Sequence, residues 1–421
     1  MMDEQKGPLS GFRVLELGNL IAAPYAGRLF AEFGAEVIKV ERPRTGDELR
    51  QWRRVRGDTS LFWSLQARNK KSITLDLRTV QGQDIALQLV SHVDVVLENF
   101  RPGTLEKWNL SYEAIKAVNP DLIFVRISGY GQSGPYRDRT GFGGIAEAMG
   151  GLRHLTGYPD RPPTRIGISL GDSLAGMFGV IGALMALLCR EHQRLQAQTD
   201  ASHSGEQTLS GYGQVVDVAL YEAVFAVTES LLPEYDGYDV IRQRTGNILP
   251  GLTPSNIYAC QEGKWVVIGG NADGVFKRLM RAIGRADLAD DPHLADNPGR
   301  TQQRELLDGV IAAWTAQHTL DDVMAVLVEA GVPAGPIYDA ADIANDPHYN
   351  ARGMIEHHEL ALEADETRVV RFPGIIPRLS ETPGETQWLG PALGAHNEEI
   401  YSHLLRFTPE QLAQLQQDGV I

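Results

Sequence analysis

Residues 11–41 read GFRVLELGNLIAAPYAGRLFAEFGAEVIKVE, and this stretch decides the fold class. Residues 13–17 form a short apolar run of strand length. The Gly18-Asn-Leu-Ile-Ala-Ala-Pro24 turn follows, then an amphipathic stretch over 23–33, then a second apolar run over 36–40. An apolar strand, a helix and another apolar strand within about 30 residues make a βαβ unit, whose strands must lie parallel. The alternation continues outward. Strands are expected over 72–77, 93–97 and 122–127, with helices over 81–91 and 112–118 between them. Short buried strands separated by amphipathic helices predict an α/β fold with a doubly wound, Rossmann-like parallel sheet.

Beyond residue 170 the pattern changes. An apolar helix is expected over 172–189, and its core run of 176–189 is too short to span a bilayer. Residues 194–212 are rich in Gln, Ser, Thr, Ala and Gly without a hydrophobic period, which predicts a flexible surface loop. A strand over 214–220 and a helix to 231 complete a large domain over 1–231. A linker is expected over 232–254. A smaller α+β domain over 255–330 contains strands at 255–260 and 264–269, with helices over 274–283, 300–317 and 320–330. The last segment, 331–421, ends in a strand around VVRFPG and a helix over 397–405.

A length of 421 residues allows two domains and a large core, and 43% hydrophobic and 22% charged residues make the composition of an ordinary soluble protein. A net charge of −15 argues against nucleic acid as a partner. The two cysteines, Cys189 and Cys260, form neither a disulfide framework nor a metal motif and suit a reducing, cytoplasmic setting. The first ten residues hold no apolar signal core, so no membrane association is expected. No histidine spacing matches a metal site, and His357-His358, being adjacent, diverge; no metal is expected.

Three motifs compete for the active site. Gly129-Tyr-Gly131-Gln-Ser-Gly134 matches G-x-G-x-x-G, and Glu41 imitates a ribose-binding acid. Pro135-Tyr-Arg-Asp-Arg follows instead of a helix, so a glycine-rich loop over a cleft is the better reading than NAD binding. Gly167-Ile-Ser169-Leu-Gly171 matches the nucleophile elbow of serine hydrolases, with His396 downstream, yet Arg161-Pro-Pro-Thr-Arg165 makes a poor preceding strand. Asp172, just before the apolar helix, is a natural N-cap. The same position also suits a nucleophile: the helix N-terminus stabilises a carboxylate, Gly171 and Ser173 leave room, and a carboxylate can attack a thioester. Finally Arg42, Arg44, Arg78, Arg101 and Lys107 all fall just past the carboxyl ends of expected parallel strands, where open α/β sheets bind ligands. Such a set in so acidic a chain points to a polyanionic ligand.

Many segments, in order, resemble the class III CoA-transferase family, which includes formyl-CoA and carnitine CoA-transferases. They are Gly11-Phe-Arg-Val-Leu-Glu16, Ala23-Pro24, Gly34-Ala-Glu-Val-Ile-Lys-Val-Glu41, Asn69-Lys-Lys-Ser-Ile-Thr-Leu-Asp76, Glu98-Asn-Phe-Arg-Pro-Gly103, Asn119-Pro120, Ser128 to Pro135, Gly171-Asp172 with Gly176, Val216-Asp217-Val218, Gly331 to Pro336 and Leu389 to His396. The resemblance implies that Asp172 is the nucleophile. It also implies that CoA is held by Ile21, Ala22, Arg42, Leu75, Arg78, Asn99, Phe100, Arg101 and Lys107. In such enzymes the aspartate takes the acyl group, becomes an aspartyl-CoA thioester and passes CoA to an acceptor acid. Coenzyme A thioesters are therefore substrates, with small carboxylic acids, possibly dicarboxylic ones, as partners, and no permanent cofactor is implied. The resemblance further implies an interlocked homodimer whose large domain is built from the first and last parts of each chain.

The nearest rival is an α-methylacyl-CoA racemase, which has a similar outline but needs a catalytic His in the loop that here reads Thr140-Gly-Phe142-Gly143. A serine hydrolase using Ser169 is the second alternative. The sequence departs from the family at Ile21, where some members have a glutamine screening the nucleophile, at the 194–212 insert, and at 245–251, where no glycine-rich flap is evident.

Overall fold

A computed structural model describes residues 7–56, 59–204, 211–363 and 366–421. The order of the principal elements in the first part of the chain is β1 (Arg13–Glu16), α1 (Ala22–Glu32), β2 (Glu36–Glu41), β3 (Lys70–Thr74), α2 (Val80–Val90), β4 (Val95–Glu98), α3 (Tyr112–Val118), β5 (Ile123–Ser128), α4 (Gly143–Met149), α5 (Leu170–Ser204), β6 (Gln214–Ala219) and α6 (Leu220–Phe225). The six strands form one parallel sheet in the order β3-β2-β1-β4-β5-β6. This is the doubly wound order, with its switch point between β1 and β4.

Alternation along the strands explains why helices cover both faces. Val14, Val37, Val95 and Val125 pack with α1 and α5, whereas Leu15, Ile38, Val96 and Phe124 pack with α2, α3 and the C-terminal segment. The central strands read as unbroken apolar runs because neither face meets water. β6 differs: it lies at the sheet edge, and its first four residues are only partly covered.

Contacts divide the chain into two units, Met1–Leu152 with Ile166–Leu231 and Gly353–Ile421, and Arg153–Arg165 with Leu232–Arg352. The second holds an antiparallel sheet of β7 (Ser255–Ala259), β8 (Trp265–Gly269) and β9 (Ala334–Pro336), with its own apolar core. Residues 331–352, expected with the large domain, group with this unit because β9 pairs with β8 along Val266, Val267 and Ile268. Back in the first unit, β10 (Ile355–Glu363) and β11 (Glu366–Pro373) form a hairpin. The expected helix over 397–405 is a π-helical turn, Glu399–Leu404, and Pro409–Gln417 forms a further helix. Tyr401 is fully buried there and donates to the Thr74 carbonyl at 2.7 Å, which ties this segment to β3.

α5 overturns one expectation. Its helix runs unbroken from Leu170 to Ser204, so 194–204 is not a loop; 205–210 lie outside the described residues. Gln, Arg, Leu and Ala are good helix formers, and a polar helix tail in solvent needs no hydrophobic period. Leu170–Thr199 is also long and apolar enough to cross a membrane, with a hydropathy of 1.8. In the fold, however, α5 packs against α1, β5, β6 and α6.

Candidate active site

The carboxyl ends of β1 to β4 open into a crevice at the switch point. Asn99, just after β4, closes its base: its Oδ1 accepts from the Asn19 N–H at 2.8 Å, and its Nδ2 donates to the Asn19 carbonyl at 2.8 Å. Glu98 fixes the next turn by accepting from the Phe100 N–H at 2.7 Å and from Arg126 at 2.8 Å. A cavity at this edge is lined by Asn19, Arg42, Leu75, Arg78, Phe100 and Trp108, among others. Phe100 meets Trp108 edge to face at 5.3 Å, giving the cavity an aromatic wall.

Four of the sequence-derived contact residues therefore converge: Arg42, Leu75, Arg78 and Phe100. Arg42 is exposed over the cavity, whereas Arg78 is held in a two-point contact with Asp76 at 2.6 and 2.8 Å. Leu75, Ile21 and Ala22 are buried; Leu75 lines this cavity, and Ile21 and Ala22 do not. Arg101 donates to the Asp138 carbonyl at 2.6 Å. Neither it nor Lys107, exposed at the end of the short helix Thr104–Lys107, lines this cavity.

Beneath the first βα turn lies a charged cluster that no sequence motif announced. Lys39 reaches Asp47 at 2.8 Å and Glu16 at 3.2 Å and donates to the Gly18 carbonyl; Lys70 reaches Glu16 at 2.7 Å and the Pro24 carbonyl at 2.7 Å. Asp47 also accepts from the Leu20 N–H at 3.1 Å. The cluster ties residues 18–24 to the sheet. Its members are scattered along the chain, and the one available signal was lysine inside runs otherwise apolar enough to be core strands.

Asp172 stands in the first turn of α5, two residues inside the helix, and so is not its N-cap. Gly143, the first residue of α4, lies against it so closely that a Cβ there would sit 2.0 Å from the carboxylate. One turn further on, a Cβ at Gly176 would sit 2.7 Å from the Ala22 carbonyl, so the start of α5 is pressed to the start of α1. Glu147, one turn along α4 from Gly143 and 1% exposed, accepts from the Gly171 N–H at 3.3 Å. Burial, then the negative charge of Glu147, raises the Asp172 pKa to about 6; its own backbone N–H is the sole hydrogen bond opposing the rise. The result is a carboxylate that is ionised at neutral pH yet poorly solvated. A second cavity, of about 490 Å³, is lined by Ile21 and by Ser169 and Ser173 of the same helical turn, but not by Asp172 itself.

The competing motifs resolve differently. No strand leads into Ser169, since 160–169 has no regular structure, and His396 is engaged by the Ser72 backbone at 3.1 and 2.9 Å. The strand–turn–helix needed for a nucleophile elbow is therefore missing. In the glycine-rich loop the Gly131 N–H donates to Ser128 Oγ at 3.0 Å, and the Gln132 N–H donates to the Asp217 carboxylate at 3.0 Å. These N–H groups are already occupied, and no helix opens behind them. Glu41 accepts from Ser72 at 2.6 Å and from Arg50 at 2.7 Å, so it braces the sheet rather than awaiting a ribose. Phe142 is 62% exposed and offers no base.

A doubly wound sheet with a cation-bearing crevice at its switch point and a desolvated carboxylate on one of its helices is an α/β fold suited to an anionic ligand. The comparisons with known proteins specify it. The sequence profile of CoA-transferase family III matches residues 9–397, and this chain belongs to that family. It is 52% identical over 416 residues to the succinyl-CoA–D-citramalate CoA-transferase of Chloroflexus aurantiacus, covering 98% of each chain. Identity to the alpha subunit of succinyl-CoA–L-malate CoA-transferase from Chloroflexus aurantiacus is 40% over 421 residues, covering 99% of this chain and 94% of that one. Among solved structures, a CAIB/BAIF family protein from Brucella suis superposes with a TM-score of 0.81 at 33% identity, covering 95% of this chain and 100% of that one. The protein is thus a CoA-transferase that acts on CoA thioesters and carboxylic acids.

Proposed function

We propose that this enzyme moves CoA from succinyl-CoA to a small dicarboxylic acid of the malate or citramalate type, through covalent intermediates on Asp172. The relatives' substrates support the choice of acids. The observation that carries the mechanism is the Asp172 carboxylate itself, desolvated, pressed against Gly143 and raised to a pKa of about 6.

The steps balance without any net proton transfer. An Asp172 oxygen attacks the thioester carbonyl; the C–S bond breaks, CoA leaves as thiolate and a mixed anhydride forms. The thiolate then attacks the Asp172 side-chain carbonyl and expels succinate, leaving an aspartyl-CoA thioester. The acceptor carboxylate attacks that carbonyl and expels the thiolate, forming a second anhydride. Finally the thiolate attacks the acceptor's carbonyl, which yields the new CoA thioester and frees Asp172. Poor solvation keeps the carboxylate reactive.

Arg42, Arg78 and Lys107 are proposed to bind the nucleotide end of CoA, and Asn99 to Arg101 with the backbones of Ile21, Ala22 and Leu75 the remainder. Two free cysteines and a CoA substrate suit the cytoplasm. A homodimer is supported by the outward stripe of Ile181, Leu184, Met185 and Leu188 on α5, which are 38–69% exposed at helical spacing.

The test is mass spectrometry of the enzyme incubated with succinyl-CoA. A hydroxylamine-sensitive adduct is expected on the Asp172 peptide, Asp172→Ala should lose essentially all transfer while staying folded, and Ser169→Ala should retain it. Near-normal transfer by Asp172→Ala would overturn the reading. A racemase would instead wash deuterium into the α-carbon of a 2-methylacyl-CoA, and none is expected.

A further inference from the structure

The cavity of about 490 Å³ beside the first turn of α5 has a floor and a charged rim that the CoA-binding crevice does not share. Its floor includes Ser169 and Ser173, which bracket Asp172 in sequence and stand one turn apart on the same flank of the helix. Three arginines, Arg28, Arg53 and Arg54, line it. They are not equivalent. Arg28 is engaged by Glu32 at 2.6 Å, a carboxylate it shares with Arg68, and also donates to Gln66 at 3.3 Å. Arg53 and Arg54 are exposed, and among the described residues neither has a carboxylate partner.

Arg53 is also held in place. Its backbone takes φ 67°, a conformation that non-glycine residues seldom adopt. Its guanidinium lies over Trp52 at 5.4 Å and Phe62 at 6.0 Å. Cation–π contacts of this kind restrain a guanidinium while leaving its N–H donors unused. Two guanidinium groups without a carboxylate partner among the described residues line a cavity that also reaches Ser169 and Ser173, the latter donating to the Ser169 carbonyl at 3.0 Å, in the helical turn that carries Asp172; together they offer a receptor for a second carboxylate on the molecule that reacts with Asp172.

We infer that Arg53 and Arg54 form a distal-carboxylate subsite, which grips the non-reacting carboxylate of the donor's acyl group and then that of the acceptor acid. The inference rests on Asp172 being the nucleophile. Donor acyl group and acceptor acid must each present a carboxyl carbon to the same atom in turn, so one subsite serves both. It selects four- and five-carbon dicarboxylates over monocarboxylates of equal length, because an acid without the second charge leaves the two guanidinium groups unpaired.

The experiment compares the full-length enzyme with Arg53→Gln, Arg54→Gln, the double variant and Arg54→Lys. Succinyl-CoA plus malate is set against butyryl-CoA plus 2-hydroxybutyrate, which match them in chain length and lack the second carboxylate. Each Gln change should lower kcat/KM for the dicarboxylate pair by about 10- to 100-fold, the usual range for a charged hydrogen bond. It should leave the monocarboxylate pair within about threefold, and Arg54→Lys should recover part of the loss. An unchanged ratio between the two pairs overturns the subsite. Equal losses on both overturn it too and reassign the arginines to CoA or to the fold. Adduct formation on Asp172 is measured in parallel with both donors. Absence of the adduct in wild-type enzyme would count against Asp172 alone, while the ratio would still decide the role of the arginines.

Discussion

At the scale of single residues, the fold brings together three positions around the proposed nucleophile: Gly143, Glu147 and Asp172 itself. Gly143 is required by close approach, since any side chain would occupy the position of the carboxylate. Glu147 acts through charge. If the ionised form of Asp172 is the nucleophile, as proposed, its pKa of about 6 means that kcat/KM should fall about tenfold per pH unit below that value. Glu147 raises this pKa, so Glu147→Gln should lower it and move the acid limb of the pH profile downward while the plateau survives. A limb that stays in place, or moves up, would show that Glu147 does not set the charge of the nucleophile. Asp172 could be singled out from its place before an apolar helix, but that position alone pointed first to an N-cap. The helix begins at Leu170, so Asp172 stands inside its first turn, where its carboxylate meets its own backbone N–H instead of capping the helix from outside.

At the scale of elements, α5 shows how a local reading misplaces a boundary. Its apolar half was legible from periodicity, and its polar half was not, because a solvent-facing helix lacks a pattern to detect. The polar half is tethered as well. Arg190 reaches Asp94 at 2.8 Å, and Arg194 reaches Asp121 at 3.0 Å. Asp121 also accepts from the backbone N–H groups of Gly211 and Tyr212 at 2.9 and 3.0 Å, which sets the entry into β6. Asp121→Ala strands these donors and should lower unfolding free energy by about 1–3 kcal/mol. Urea titration followed by circular dichroism measures it, and an unchanged midpoint would show the segment to be an idle extension. The helix Pro409–Gln417 was missed although Thr408-Pro-Glu-Gln411 carries a capping box, which the structure forms in both directions.

For the whole molecule, the outward stripe on α5 and the exposed edge strand β6 leave apolar surface on one side of the sheet. If a second copy covers it, Leu188→Asp should shift the protein toward monomer or aggregate in sedimentation velocity, whereas wild type should remain dimeric at nanomolar concentration. A wild-type monomer at micromolar concentration would refute the dimer. Strand, helix and turn periodicities by themselves determined the doubly wound sheet and, through it, the row of cations past the strand ends, because both follow from local alternation and from where parallel strands must point. Tertiary structure alone decided which of those cations converge on one cavity and that Arg78 is held by Asp76. It alone set Glu147 against Asp172 and, among the described residues, left Arg53 and Arg54 without a carboxylate partner. Such facts depend on which distant side chains come within a few ångströms, and short-range pattern carries no record of that distance.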